Sequence, residues 1–208
     1  MDVPDAGVAL LVVDMQNSFF RPEGSMTKMG FDVAGLEVAI PGVQTLVEAA
    51  HGARVPVIFT RYVYQPGFAD GGLQPTEINP LLRANDALIA GSWDAELITE
   101  LPVGDEDIVI DKSRPSSFYG TRLEPILTGL GVRSLVICGV TTNICVETTA
   151  RDAGQRDYRT FVVSDATGEL TPERHAHALN TIGFFFGWVV TVEDVLRSWK
   201  ARQDAVAS

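Results

Sequence analysis

Six short runs rich in valine and isoleucine recur along the chain, separated by longer segments with helical periodicity. They cover residues 9–13, 55–60, 107–111, 134–138, 160–164 and 188–192. Most of these runs are continuously apolar rather than alternating, which is typical of strands buried on both faces of a sheet. We therefore predict six strands in a sheet that is covered on both faces.

The segments between these runs predict amphipathic helices, most clearly at 43–51, 121–130, 143–156 and 172–186. Pro41 stands where the first residue of a helix would be, and Gly131 stands just past the end of one. Strands that alternate with helices form parallel sheets joined by right-handed crossovers. The predicted fold is a single α/β domain over residues 1–208, a Rossmann-like three-layer sandwich with a mainly parallel six-stranded sheet.

The chain is acidic, since 16 lysines and arginines against 27 aspartates and glutamates give its 208 residues a net charge of −11. This balance argues against nucleic acid and anionic membranes as partners. The apolar run at 8–13 is far too short to span a bilayer, and the N-terminus is acidic where a secretory leader is basic. Two cysteines are too few for a disulfide scaffold, so we expect a cytoplasmic protein.

Residues 62–92 form the longest stretch without clear periodicity, and they are rich in proline and glycine. A connection of this length in a compact domain is usually a functional loop or a disordered one. We predict that it forms part of a binding site. Residues 200–208 are expected to fray.

Polar side chains with catalytic potential stand where three of the predicted strands end. Asp14 follows the first strand, Lys112 ends the third, and Cys145 follows the fourth. In open α/β sheets, ligands bind outside the carboxyl ends of the strands. We therefore expect a carboxylate, an ammonium group and a thiol to converge on one crevice.

Cys145 lies near the predicted start of the helix after the fourth strand. A helix N-terminus offers unpaired N–H groups and partial positive charge, which stabilise a thiolate and can also hold an oxyanion. We expect Lys112 to lower the pKa of the thiol further and Asp14 to accept its proton. Together these groups indicate acyl transfer from an amide through a thioester. Taken singly, a cysteine and a lysine at such positions are more often a buried core residue and a solvated surface residue, and the aspartate could equally be a helix cap or a turn former.

Other catalytic and binding patterns are missing from the sequence. No G-x-G-x-x-G, P-loop or G-x-S-x-G motif occurs, which argues against a phosphate cradle and a serine triad. His175 and His177 lie two residues apart and do not share a helix face, while His51 lies at a helix end. We predict no metal site and no cofactor, and we expect Cys138 to be a core residue.

Three stretches carry a resemblance to a known family, namely ALLVVDMQNSF at 9–19, KSRPSSF at 112–118 and GVTTNICVETTARDA at 139–153. With these motifs in this order, the chain resembles the isochorismatase-like cysteine hydrolases over almost its whole length. The resemblance implies a catalytic triad in which Cys145 is the nucleophile and Asp14 is the general base. Lys112 would orient Asp14 and stabilise charge.

The resemblance also implies a cis peptide bond between Val140 and Thr141. Such a bond would direct the backbone N–H groups of Thr141 and Cys145 at the oxyanion of the reaction. In this family a neighbouring subunit often borders the site, so the resemblance further implies a homodimer or a homotetramer.

The chain departs from the pattern of some members. Nicotinamidases hold a metal with an aspartate and two histidines after the second strand, whereas this chain has TRYVY at 60–64 and no histidine between 52 and 174. Members that cleave a vinyl ether can work without the cysteine, so Cys145 favours amide hydrolysis. The segment FFFGWV at 184–189 is similar to that of ureidoacrylate and biuret hydrolases, which indicates a small carbamoyl or ureido amide as substrate. A vinyl-ether hydrolase and a catalytically silent interaction protein are the alternatives.

Three further residues follow the functional strand ends closely enough for us to expect them to line the crevice: Phe19, Arg61 and Phe118. Arg61 can pair with a substrate carboxylate, or equally with an acidic side chain in a structural ion pair.

Overall fold

The fold is organised around one six-stranded sheet. The computed structural model describes the backbone of residues 3–207 and the side chains of residues 3–200. Its strands are β1 (Val8–Val13), β2 (Val57–Tyr62), β3 (Ile108–Lys112), β4 (Ser134–Val140), β5 (Arg159–Gly168) and β6 (Trp188–Val190). They lie in the order β3-β2-β1-β4-β5-β6, and every neighbouring pair is parallel. The six predicted strands are therefore confirmed, in a sheet that is entirely rather than mainly parallel.

Helices fill the connections between the strands. They are α1 (Asn17–Phe20), α2 (Ser25–Lys28), α3 (Ala39–Gly52), α4 (Leu81–Ala84), α5 (Leu123–Gly129), α6 (Glu147–Gln155), α7 (Pro172–Thr181) and α8 (Val192–Ala207). The connection through α3 leads toward one edge of the sheet, and the connection through α6 leads toward the other. Because such crossovers are right-handed, α3 and α6 cover opposite faces, as the predicted sandwich requires. None of the described helices combines the length and the apolar character needed to cross a membrane.

Each of the four predicted helices is present, with shifted ends. Two of them include a wider, π-helical turn: Thr142–Val146 precedes α6, and Ile182–Phe186 follows α7. Pro41 is the third rather than the first residue of α3. Proline is tolerated there because the first N–H groups of a helix have no partner within it.

Gly131 ends α5 as predicted. Its φ is +68°, and the N–H groups of Gly131 and Val132 return to the carbonyls of Thr128 and Leu127. This is the arrangement in which a glycine reverses the chain and satisfies the last carbonyls of a helix.

β1 lies at the centre of the sheet, and all six of its residues are buried. Its last residue, Val13, is in register with Thr60 on β2 and with Gly139 on β4, so the three strands end within two residues of one another. Gly139 has a φ of +108°, and a Cβ at this position would lie 2.1 Å from the carbonyl oxygen of Val13. Glycine is therefore required where the chain approaches the end of β4.

Residues 62–92 have more local structure than their sequence indicates. They contain α4 and the turns Pro66–Phe68 and Gln74–Ile78, and an isolated bridge pairs Tyr64 with Ile89. Tyr64 is fully buried, so the start of this segment belongs to the core. The role of the segment in binding stays a prediction.

The last helix packs on the N-terminal segment. Trp199 on α8 is fully buried, and its indole N–H donates to the carbonyl of Pro4 at 3.2 Å. The backbone is helical to Ala207, whereas Ser208 and the side chains from residue 201 onward lie outside the described residues. Fraying of residues 200–208 stays a prediction.

Candidate active site

Asp14 lies directly after β1, at the carboxyl edge of the sheet. Its backbone has a φ of +53°, a conformation that aspartate adopts more readily than most residues. The side chain is fully buried, and its Oδ1 accepts a hydrogen bond of 2.8 Å from Thr60 Oγ1 on β2. The register between Val13 and Thr60 places these two side chains next to each other.

Lys112 ends β3 and reaches across β2 to Asp14. Its Nζ lies 2.6 Å from Asp14 Oδ2, and both side chains are inaccessible to solvent. The same Nζ donates to the carbonyl of Arg114 at 3.1 Å and lies 4.4 Å from the centre of the Tyr62 ring. Burial lowers the pKa of Lys112, but the neighbouring Asp14 carboxylate and Cys145 outweigh burial and raise this pKa overall. The amine is therefore an ammonium group.

Cys145 lies on the turn Thr142–Val146, which connects β4 to α6. It is 4% exposed, and its Sγ lies 3.4 Å from Lys112 Nζ. The structure thus brings Asp14, Lys112 and Cys145, hereafter the triad, into one buried cluster. The convergence expected from the strand ends is present.

The backbone leading to Cys145 contains a cis peptide bond between Val140 and Thr141. The N–H of Asn143, inside the turn, donates to Glu169 Oε2 at 2.9 Å and is therefore occupied. The role of the Thr141 and Cys145 N–H groups in binding an oxyanion stays a prediction.

The surroundings of Cys145 set the protonation state of its thiol. Burial raises the pKa of the Cys145 thiol well above its usual range. Lys112 lowers this pKa, as expected, but Asp14 raises it again and burial is the largest effect. The prediction of a lowered thiol pKa is therefore wrong, because it considered nearby charge and not the removal of water. These surroundings favour the protonated thiol over the thiolate.

Sequence reasoning misses several buried side chains that support the triad. Gln16 joins β1 to β2: its amide oxygen accepts the N–H of Tyr62 at 2.6 Å, and its amide nitrogen donates to the Tyr62 carbonyl at 2.9 Å. The hydroxyls of Tyr62 and Tyr64 lie 3.1 Å apart, and burial raises the pKa of both phenols. Alternation along β2 is the sequence signal that could have found Thr60 and Tyr62, because residues two apart in a strand share a face.

Arg61 lies between Thr60 and Tyr62 and so leaves β2 on the opposite face. Its guanidinium forms a two-point ion pair with Asp111, its register partner on β3, at 2.7 and 3.0 Å. The structure does not bring Arg61 to the triad. The ion pair with Asp111 instead matches the second expectation for Arg61, a structural ion pair with an acidic side chain.

Phe118 packs beyond the C-terminal end of α6. Its ring centre lies 5.9 Å from that of Tyr158 and 4.9 Å from the guanidinium carbon of Arg156. Cys145 precedes α6, so the whole helix separates these two places, and the structure does not bring Phe118 to the crevice. Phe19 on α1 is 6% exposed and belongs to the core, and its contact with a substrate stays a prediction.

No group of three histidine, cysteine, aspartate or glutamate side chains is arranged as a metal site within the described residues. His51 Nε2 lies 3.0 Å from Asp107 beside a cavity of about 540 Å³, which is at the amino ends of β2 and β3 and so opposite the triad. His175 Nδ1 lies 2.9 Å from Thr142 Oγ1. Cys138 is a fully buried core residue, as predicted.

A parallel α/β sheet with a buried carboxylate, lysine and cysteine at its carboxyl edge is the arrangement that the three sequence motifs imply. The isochorismatase domain matches residues 8–194, and the chain belongs to the isochorismatase family. The family resemblance is thereby confirmed over nearly the whole sequence.

Named relatives agree with this membership. Ureidoacrylate amidohydrolase RutB of Methylobacterium radiotolerans is 39% identical over 197 residues, which are 88% of this chain and 76% of the relative. A solved cysteine hydrolase from Pseudomonas syringae pv. phaseolicola 1448A has a TM-score of 0.88 at 28% identity, covering 97% of this chain and 96% of the other. N-carbamoylsarcosine amidase from Thermoplasma acidophilum has a TM-score of 0.70 at 26% identity, covering 89% and 96%.

Proposed function

We propose that the protein is an amidohydrolase that cleaves a small amide through a thioester on Cys145. The observation that carries this proposal is the position of Lys112 Nζ, 2.6 Å from Asp14 Oδ2 and 3.4 Å from Cys145 Sγ in a buried cluster. A base, a cation and a nucleophile can therefore act on one carbonyl group. The relatives named ureidoacrylate amidohydrolase and N-carbamoylsarcosine amidase support amide hydrolysis as the reaction.

The first half of the reaction forms the thioester. Asp14 takes the thiol proton as Sγ attacks the substrate carbonyl. Proton transfer accompanies the attack because burial raises the pKa of the thiol and so disfavours a thiolate before substrate binds. Asp14 Oδ2 lies 2.6 Å from Lys112 Nζ, and a carboxylate oxygen that accepts from one donor keeps a further lone pair for this proton. The N–H groups of Thr141 and Cys145 stabilise the oxyanion. Asp14 returns the proton to the leaving nitrogen, the C–N bond breaks, and ammonia or an amine departs.

The second half of the reaction consumes a water molecule. Asp14 takes a proton from the water as its oxygen attacks the thioester carbonyl, and the same oxyanion site is used again. The C–S bond then breaks, and Asp14 returns the proton to the Cys145 sulfur. Throughout, Lys112 keeps Asp14 oriented and offsets the negative charge that moves between the carboxylate, the sulfur and the oxyanion.

The substrate class in this proposal is a carbamoyl or ureido amide, and no metal takes part. The name of the Methylobacterium relative supports the first statement, whereas the FFFGWV segment at 184–189 leads into β6 and so lies at the amino edge of the sheet, opposite the triad. The TRYVY segment at 60–64 supports the second, because Thr60 bonds to Asp14 and the Tyr62 ring lies against Lys112, and neither type is a usual metal ligand.

Ammonia release from a panel of small amides tests the proposal. The panel holds ureidoacrylate, biuret, N-carbamoylsarcosine, maleamate and nicotinamide, with EDTA present throughout. We expect release from a carbamoyl or ureido member, and a fall of about 10³-fold or more in Cys145→Ala. Cys138→Ala is the matched control, since it removes the other buried thiol and should leave the activity in place.

Each part of the proposal has its own contrary result. No release from any amide, together with a Cys145 that iodoacetamide does not modify, would overturn the cysteine mechanism. Loss of activity in EDTA would contradict metal independence. Turnover of an isochorismate-like vinyl ether by Cys145→Ala would establish the alternative reaction.

The proposed assembly is a homodimer or a homotetramer. Phe184 and Phe185 are 85% and 77% exposed on the turn after α7, beside the edge strand β6, and large exposed apolar side chains favour burial against a second copy. Sedimentation velocity should give a dimer or tetramer for the wild type and a smaller species for Phe184→Ser with Phe185→Ser. A monomeric wild type would contradict this part. A cytoplasmic location stays a prediction from the cysteine content.

A further inference from the structure

The turn that carries the nucleophile is tied to the end of β5 at two neighbouring residues. Thr142 Oγ1 donates to the carbonyl of Gly168 at 2.9 Å, and the N–H of Asn143 donates to Glu169 Oε2 at 2.9 Å. Both hydrogen bonds are made by residues that lie between Thr141 and Cys145, whose N–H groups are proposed to bind the oxyanion. They therefore control the path of the backbone at that place.

Glu169 occupies its position as a buried anion. Its side chain is inaccessible to solvent, and each carboxylate oxygen accepts one backbone N–H, Oε2 from Asn143 and Oε1 from Leu170, at 2.9 Å in both cases. The partly exposed Arg174 balances the charge from 3.5 Å. A buried carboxylate is costly unless its oxygens are bonded and its charge is paired, and Glu169 meets both conditions.

We propose that Glu169 is a positioning residue for the reaction at Cys145, an inference that rests on the proposed function. Its carboxylate acts through the N–H of Asn143. Holding that peptide group fixes the rotation of the turn, and so the direction of the N–H groups that stabilise the oxyanion. Such preorganised donors lose their effect steeply when displaced, since a misplacement of about 1 Å can reduce a rate by about 10²-fold.

The two-point bonding explains why glutamate, rather than glutamine, suits this position. Glutamine has a single carbonyl oxygen, and its NH₂ group would face one of the two N–H donors, so Glu169→Gln keeps at most one of the bonds. We expect kcat to fall by about 10-fold and KM to change by less than about threefold. Glu173→Gln is the matched control, because Glu173 is an exposed glutamate on the first turn of α7.

Two further measurements separate positioning from a general loss of stability. Hydrogen exchange of the peptide 141–147 needs no substrate and should be faster in Glu169→Gln, while peptides from β1 and β4 exchange as in the wild type. Alkylation of Cys145 by iodoacetamide uses the thiol but no oxyanion donor, so its rate should stay within about twofold of the wild type. A merely structural role would slow hydrolysis, speed alkylation because the buried thiol becomes exposed, and speed exchange throughout the sheet.

The contrary results are distinct from those of the proposed function. Equal kcat in Glu169→Gln and Glu173→Gln, or unchanged exchange of 141–147, would overturn the positioning role while amide hydrolysis stands. A wild type that hydrolyses no amide would remove the proposed function and this role with it. If Glu169→Gln does not fold, Glu169→Asp serves instead. Its side chain keeps the charge but is one methylene shorter, so it no longer reaches the N–H of Asn143 and kcat should fall as in Glu169→Gln. A wild-type kcat in Glu169→Asp would overturn the proposal.

Discussion

Lys112 Nζ lies 2.6 Å from Asp14 Oδ2, although the strands that carry these residues, β3 and β1, are separated by β2. The pair therefore spans β2 at its carboxyl end, where Thr60 bonds to the other oxygen of Asp14. Neither charged side chain is accessible to water. The stability of the fold and the proposed chemistry thus involve the same two charges.

Replacing Lys112 should destabilise the fold as well as abolish hydrolysis. Lys112→Met leaves the Asp14 carboxylate buried without its counter-charge, which should lower the free energy of unfolding by about 3–5 kcal/mol. Urea denaturation followed by circular dichroism measures this loss. Lys28→Met, at an exposed lysine on α2, is the control and should stay within about 0.5 kcal/mol of the wild type. A loss below about 1 kcal/mol in Lys112→Met would contradict a buried ion pair.

Thr60→Val tests how Asp14 is held. The change removes the hydroxyl that donates to Asp14 Oδ1 at 2.8 Å and keeps nearly the same volume. We expect the free energy of unfolding to fall by about 1–3 kcal/mol, and kcat to fall by about 10-fold because the base loses its fixed orientation. Thr128→Val removes an exposed hydroxyl that bonds within α5 and serves as the control. If kcat is the same in both variants, Thr60 does not orient the base.

The two buried thiols should make stability depend on alkaline pH. Burial raises the pKa of Cys138 and of Cys145, so each keeps its proton in the folded state when the unfolded chain has lost it. Their contribution is fully present below the pKa of an unfolded cysteine, about 8.5, and is lost as the pH rises above it.

Urea unfolding under reducing conditions from about pH 7 to about pH 9.5 checks this prediction. The free energy of unfolding should fall above about pH 8.5 by up to about 1.4 kcal/mol per pH unit for each thiol. Cys138→Ala should show a shallower fall than the wild type, because one of the two thiols is gone. A free energy that stays flat across this range would contradict neutral buried thiols.

Arg61→Met should have little effect on either stability or catalysis. Its ion pair with Asp111 is partly exposed, so the free energy of unfolding should fall by less than about 1 kcal/mol. Because Arg61 leaves β2 on the face opposite Thr60, we expect kcat and KM to stay within about twofold of the wild type. Asp111→Asn should give the same small loss. A large rise in KM in Arg61→Met alone would show that this arginine binds substrate.

The strands and the triad can be predicted from the sequence because each leaves a local signature. β1 and β4 are buried along their whole length, which produces continuous apolar runs. Asp14, Lys112 and Cys145 each stand beside the end of such a run, and parallel strands end at the same edge of a sheet.

The remaining features depend on relations that sequence order does not contain. Arg61 meets Asp111 through strand register across 50 residues, and Glu169 reaches the N–H of Asn143 across 26 residues. The position of Phe118 follows from a loop path that has no periodic pattern. The raised pKa of Cys145 follows from the exclusion of water by the whole fold, which no neighbouring residue in the sequence reveals.

The order of the strands also bears on how the protein is made. Asp14 and Lys112 belong to the half of the sheet built from β1 to β3, whereas Cys145 follows β4 on the other half. A nascent chain that has left the ribosome only as far as β3 contains the carboxylate and the amine but not the thiol. The two halves join when β4 pairs with β1. The chain as far as β3 therefore holds only two members of the triad, and the third arrives with the second half of the sheet.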